Sequence, residues 1–369
     1  SRRIFSSMTS VDNKPGSLLS TIAGLKFWSV CSLIGVALLL VSCESGPTVV
    51  TLTGAKFGTT YNITVVADQP VPGNLAAMIE ESLDRVDESM STYKTSSEIS
   101  QFNRLSVGES IPLSEDFIHV FNVSKTVWQK SNGALEPTVG PLVNLWGFGP
   151  DAAEDVIPEV SQIALALTQL GFDRIKVSQS NRGPIISKTG LVELDFSAVA
   201  KGYAVDVIAE LLEMNALPDY LVEIGGETRV GGYNPEGRPW RLGIQAPQLI
   251  SEVVQVIALD AGAVATSGDY RNYFERDGRR YSHTIDPRTG YPIEHSTASV
   301  TVVADTCAEA DAWATALMVL GYQDGITLAD QMNLPVFMIV REGTGFKRAY
   351  SDSFIPFLDG SDDKSMIEK

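Results

Sequence analysis

Cysteine is scarce in this chain. Its 369 residues contain three, Cys31, Cys43 and Cys307. No CxxC pair and no Cys/His cluster occurs, which argues against zinc or iron–sulfur sites and leaves no disulfide framework. Histidine is as sparse, at three residues. A histidine in a polar setting therefore stands out as a group that titrates near neutral pH. Basic charge is also short, with 28 Lys and Arg against 45 Asp and Glu, a formal net charge of −17. Removal of the first 42 residues would take away Arg2, Arg3, Lys14 and Lys26 against Asp12 alone, leaving the remainder more acidic still. Such a surface repels phosphates, so nucleic acid is excluded as a general partner. The plain alternative is that the acidic balance only keeps the protein soluble. No repeat or low-complexity tract is present, and no linker divides residues 50–355.

What is present begins with an apolar run. Residues 25–42 read LKFWSVCSLIGVALLLVS, interrupted early by Lys26. The run is shorter than the ~20 residues of a comfortable membrane span and has the length of a signal-peptide core. Leu40-Val41-Ser42-Cys43 resembles a bacterial lipobox, with Cys43 as the lipidated residue. A marginal transmembrane anchor is the alternative. The expected organisation is a lipoprotein-type signal peptide over 1–42, a lipidated tether over 43–50, one enzymatic domain over 51–355 and a C-terminal tail over 356–369. The expected location is that of an exported bacterial lipoprotein, on the periplasmic side of an inner or outer membrane or on the outer face of the cell membrane, held there through the lipid.

After the tether, strands and helices are mixed without a βαβ rhythm. Thr59–Ala67 is β-branched and reads as a strand. Apolar spacing predicts helices over 74–88, 114–131, 161–170, 199–214 and 308–320, the last stopped by Gly321. Strands are expected at 191–196, 220–224, 240–245, 253–259 and 298–303. The fold class is therefore α+β, with mixed or antiparallel sheets and packed helices.

Four stretches carry chemistry. In 194–203, LDFSAVAKGY, a strand end delivers Asp195 and a helix start presents Lys201. Lysine at a helix N-terminus opposes the helix dipole unless an anion sits there. Helix capping by Asp195 with a solvated Lys201 is the bland reading. In 222–227, VEIGGE, the paired Gly225 and Gly226 permit close backbone approach to a ligand or simply make a turn. The third stretch joins Ser267-Gly268 to a polar run, YSHTIDPRTG at 281–290, around His283. In the fourth, Asp311 and Thr315 stand four residues apart on one helix face and offer two oxygens to one point. Hard cations such as Mg²⁺ favour such ligands. Back-bonding of Thr315 to its own helix, with Asp311 exposed, is the alternative.

In this order, and with FGTTYNITV at 57–65, MSTYKTSSEISQFN at 90–103, GALEPTVGPLVNLWGFGP at 133–150 and DAWATAL at 311–317, these stretches resemble the FAD:protein FMN transferase family, also called ApbE-like flavin transferases. The resemblance spans about residues 50–355. It implies an FAD cleft between two lobes, and a Mg²⁺-dependent enzyme that transfers FMN from FAD to a Thr or Ser hydroxyl of a target protein and releases AMP. FAD is then a substrate, and the partners are exported or membrane-bound flavoproteins. Asp311, Thr315 and the Ala198 carbonyl match metal ligands. Phe57, Tyr93, Ala134, Leu135, Glu136, Asp195, Lys201, Glu223, Gly225, Gly226, Ser267, Gly268 and Ile285 match the FAD cleft. His283, with Asp286 as the alternative, is the candidate for deprotonating the target hydroxyl. Two positions depart from the family: Phe57 stands where Met is usual, and Glu136 where Asp is usual. An FAD pyrophosphatase and a non-catalytic flavin-binding lipoprotein remain as alternatives.

Overall fold

Alternation along Thr59–Ala67 gives a strand that buries Tyr61, Ile63 and Val65 on one side and Val66 on the other. It is the second of eight strands in one sheet: β1 (Thr48–Lys56), β2 (Thr59–Ala67), β3 (Asp219–Ile224), β4 (Glu227–Gly231), β5 (Ala261–Gly268), β6 (Thr297–Ala304), β7 (Val336–Glu342) and β8 (Gly345–Tyr350). The strands lie side by side in chain order, and every pair is antiparallel. The computed structural model describes residues 46–149, 157–247, 253–269, 273–276 and 278–358. The apolar run, Cys43 and most of the expected tail lie outside the described residues.

Four longer helices are α1 (Leu75–Met90), α2 (Glu115–Lys130), α3 (Ala200–Met214) and α4 (Cys307–Met332). They share the large core with one face of the sheet, through Ile63, Val222, Val300, Met338, Ile208 and Leu317 among others. The opposite face, including Val66, Val264, Phe337 and Ile339, packs against a hairpin (Trp240–Gln245 and Val253–Leu259) and the 3₁₀ turn Asp352–Phe357. Covering both faces explains why Thr297–Val303 of β6 is buried throughout, where a half-exposed strand would alternate. A third apolar cluster holds Leu142, Trp146, Ile163, Phe274 and Ile285, and it walls one side of the site.

The structure is α+β, with antiparallel sheets and packed helices, as the pattern predicts. Three local expectations need correction. Residues 191–196 form no strand. Their backbone is spent elsewhere: Leu194 exchanges two hydrogen bonds with the Asn103 amide, and Asp195 N–H donates to the Pro137 carbonyl. The strand β1 begins at Thr48, inside the span read as a tether, because its residues pair with β2 from Thr48↔Ala67 onward. Gly321 does not end α4 outright. It breaks the helix with φ 77° and ψ −179°, and the chain then resumes helical turns to Met332.

Candidate active site

Several chain segments converge on a cavity of about 950 Å³. Among the described residues, every candidate named above except Phe57 and Asp286 lines it. The turn Ser197–Val199 and the start of α3 contribute Ala198 and Lys201. The β3–β4 turn contributes Gly225 and Gly226, and the end of β5 gives Ser267 and Gly268. α4 supplies Asp311 and Thr315.

Phe57 and Gly58 form the two-residue turn between β1 and β2, both at positive φ (53° and 72°). That turn sets the Phe57 ring against the core and not in the cavity. Asp286 is held by Arg288, which donates from its backbone N–H (2.9 Å), Nε (2.9 Å) and Nη2 (2.8 Å). It lines a smaller neighbouring pocket of about 370 Å³. The structure thus separates the two candidates for the base and leaves His283 in the cavity.

His283 sits at the end of an aromatic column. Trp146 stacks on Tyr281 (5.8 Å between centroids), Tyr281 on Phe274 (5.0 Å) and Phe274 on Phe148 (5.5 Å), and Phe148 meets the His283 ring edge-on at 6.3 Å. Such offset and edge contacts add ~0.5–1.5 kcal/mol each beyond area burial and fix ring planes. Trp146 Nε1 donates to the Gly290 carbonyl at 2.8 Å, anchoring the column to the polar turn after His283. Of the other histidines, His119 packs on Tyr203 and His295 on Gly321.

The charged centre lies on the cavity floor. Lys201 Nζ donates to Glu227 Oε1 at 2.7 Å and stands 3.8 Å from Asp311 Oδ2. Burial disfavours the Lys201 ammonium, but Asp311 and Glu227 outweigh it and raise its pKa. Burial pushes the Asp311 carboxyl well up from its ordinary range. Glu227 and Asp206 add to this, while Lys201 and the Gly202 N–H oppose it. Asp311 is therefore buried, against the alternative that left it exposed. In the sequence Glu227 is only the last residue of VEIGGE. Its side chain is buried, and Oε2 has no hydrogen-bond partner among the described residues. A buried carboxylate this costly to ionise and an orphaned carboxylate oxygen, with one lysine between them, make a site short of positive charge. Among the described residues no three His, Cys, Asp or Glu side chains cluster as a metal site. Asp311, Thr315 and Ala198 are one carboxylate, one hydroxyl and a backbone carbonyl, a donor set that fits Mg²⁺ with its retained waters.

The turn residues have identifiable roles. Gly225 (φ 65°) and Gly226 (φ 109°) close the β3–β4 turn, and Gly226 N–H donates to Glu223 Oε1 at 2.7 Å. A Cβ at Gly225 would lie 2.8 Å from Thr59 Cγ2. Asp195 Oδ1 accepts the Ser197 N–H at 2.7 Å, making the turn that leads into α3. Glu136, the longer acid, is satisfied within the protein: Oε1 accepts from Thr138 N (3.0 Å) and Oγ1 (2.6 Å), and Oε2 from Trp128 Nε1 (3.0 Å). Burial nonetheless raises its pKa, with those donors opposing. Tyr93 stands at the cavity, 80% exposed.

The model of the ApbE family matches residues 57–338. A Vibrio cholerae protein named FAD:protein FMN transferase is 42% identical over 325 residues, covering 87% of this chain and 96% of the relative. One of the same name from Haemophilus influenzae is 40% identical over 328 residues, with 87% and 95% covered. Among solved structures, the apo flavinyl transferase ApbE of Pseudomonas stutzeri superposes with TM-score 0.78 at 38% identity, over 85% of this chain and 97% of that one. The flavin transferase ApbE of Vibrio cholerae gives 0.77 at 41% identity, over 85% and 100%.

Proposed function

The chain belongs to the ApbE family, and from that premise we propose that it transfers FMN from FAD to a Thr or Ser hydroxyl of a target protein, with AMP as the leaving group. The observation that carries this reading is the convergence of Lys201, Asp311, Thr315 and His283 on one cavity of about 950 Å³. In the reaction the target oxygen forms a bond to the phosphorus of the FMN half. The bond from that phosphorus to the bridging oxygen breaks, and the oxygen leaves with AMP. His283 takes the hydroxyl proton; a neutral imidazole suits this near pH 7.

Positioning and charge neutralisation dominate such transfers. The Lys201 ammonium and the start of α3 attract the pyrophosphate oxygens. Gly225 and Gly226, lacking side chains, let the β3–β4 backbone approach the cofactor. The aromatic column holds the His283 side of the cavity rigid and sheds water from it. Asp311, Thr315 and the Ala198 carbonyl would hold Mg²⁺, which supplies Lewis-acid stabilisation of the pyrophosphate charge. The sequence at Leu40–Cys43 supports export and lipidation at Cys43, which would keep the site beside membrane-bound or exported flavoproteins.

The test is incubation with FAD, Mg²⁺ and an exported flavoprotein domain. A covalently fluorescent target band is expected, and His283→Ala lowers its rate about 10²–10⁴-fold. Free FMN with no labelled target would mark a pyrophosphatase instead. FAD binding with neither product would mark a flavin carrier.

A further inference from the structure

The helices that frame the charged centre cap one another. The first N–H groups of any α-helix have no partner inside it. No side chain of its own N-cap residue caps α3. Its Gly202 N–H donates instead to Asp311 Oδ2 of α4, at 3.1 Å. In return, Cys307 N–H and Ala308 N–H, at the start of α4, donate to Asp206 Oδ1 and Oδ2 of α3, each at 2.8 Å. Gly202 and Asp206 are four residues apart, as are Cys307 and Asp311, so each donor and acceptor share a helix face. The helices approach so closely here that a Cβ on Gly202 would lie 2.3 Å from the Cys307 carbonyl oxygen. Asp206 is buried, and it also accepts from Arg229 Nη1 at 2.9 Å. It does not line the cavity.

We propose that Asp206 is a positioning residue: its carboxylate locks the first turn of α4 onto α3 and so sets where Asp311 and Thr315 stand relative to Ala198. The paired caps fix both the axial register and the rotation of α4, because two N–H groups on adjacent residues are held by the two oxygens of one carboxylate. Register matters at this point. The reciprocal bond ties Oδ2 of Asp311 to Gly202, which orients the carboxylate at the cavity wall. A slip of α4 by a fraction of a turn would carry Asp311 and Thr315 away from Ala198 together. The inference rests on the reading that Asp311 and Thr315 hold a divalent cation.

The experiment compares Asp206→Asn with Arg229→Gln in the full-length chain. Asn keeps the shape but presents one oxygen and one NH₂ to two N–H donors. Arg229→Gln removes the ion pair to the same carboxylate and leaves both caps. Three quantities are read for each protein: Mn²⁺ affinity by electron paramagnetic resonance, FAD affinity without metal by fluorescence, and thermal stability. Asp206→Asn is expected to weaken Mn²⁺ binding tenfold or more, with FAD affinity within threefold of the parent. Arg229→Gln is expected to lose comparable thermal stability while its Mn²⁺ affinity stays within threefold. If Asp206→Asn gives no cooperative melt, Asp206→Glu carries the same comparison, because it keeps the charge and displaces the acceptor; a threefold or greater loss of Mn²⁺ affinity is then expected. Parent-like Mn²⁺ affinity in the Asp206 variant overturns the proposal. Equal losses of Mn²⁺ affinity in the Asp206 and Arg229 variants also overturn it, since the role would then be stability alone. If the parent itself binds no Mn²⁺, the cation reading falls first and this inference falls with it.

Discussion

At Asp311 burial and charge pull in opposite directions. The residue is 6% exposed, and its carboxylate stands 3.8 Å from the Lys201 ammonium. A fold selected for stability alone would place an apolar residue here, since ionising a buried acid is costly. Asp311→Ala is accordingly expected to leave the melting temperature within a few degrees of the parent while transfer falls about 10²–10³-fold, the usual loss when one electrostatic stabiliser is removed. Parallel melting curves and target labelling check both halves. Gly225 makes a second residue-scale case. Its φ of 65° and the nearby Thr59 methyl predict that Gly225→Ala costs about 1–2 kcal/mol, measurable by denaturant unfolding. These positions differ in how far the sequence reveals them. Asp311 and Thr315 were legible from i,i+4 spacing, and Gly225-Gly226 from the pair itself. Glu227 and Asp206 were not, because Lys201 lies 26 residues from Glu227 and the N–H groups that Asp206 caps lie 101 and 102 residues away, and no local pattern marks the bonds.

Among the elements, α4 is the most informative. Its first half carries Asp311 and Thr315, and it breaks at Gly321, against which the His295 ring packs. A Cβ at Gly321 would lie 2.6 Å from His295 Cδ2, and φ 77° with ψ −179° is closed to most L-residues. Gly321→Ala should therefore cost about 1–3 kcal/mol from backbone strain alone, and His295→Ala should relieve the steric part in the double variant. Differential scanning calorimetry of the four proteins measures that coupling. His295 also supplies a pH dependence. Burial lowers its pKa from the ordinary 6.5, with the backbone at Met318 and Val319 and the charge of Asp269 opposing. The unfolded chain then binds the proton more readily than the folded one. The stability contributed by the neutral ring is complete above pH 6.5 and is lost as pH falls through 6.5 toward the depressed folded value. Between pH 7.5 and 5.5 the parent should lose more stability than His295→Gln; coincident pH profiles would contradict this. The break itself was legible as a helix stop at Gly321, but its continuation was not, because resumption depends on the apolar surface that Leu328 and Ala329 find in the core. The false strand at 191–196 has a similar cause: apolar alternation is equally served by an extended segment whose backbone bonds to Asn103 and the Pro137 carbonyl.

For the whole molecule, the described residues from Pro47 onward belong to one compact unit built on an eight-stranded antiparallel sheet. Its class was legible because helical and strand periods alternate without a βαβ rhythm. The sheet order was not, since pairing β2 with β3 joins segments separated by some 150 residues, a contact no local window contains. A chain beginning at Pro47 should therefore unfold in one cooperative transition and retain transfer activity within about threefold, while losing any membrane association conferred by Cys43. Sedimentation with vesicles and target labelling separate the two effects. The central claim concerns what the cavity does with FAD, and intact-mass spectrometry of a target domain, run beside quantitation of AMP, tests it most directly. With FAD and Mg²⁺ present, the target should gain the mass of one FMN joined through a phosphoester, in equal amount to the AMP released, and Asp311→Ala should lower both about 10²–10³-fold. Bound FAD with an unshifted target mass, or AMP accompanied only by free FMN, would contradict the account.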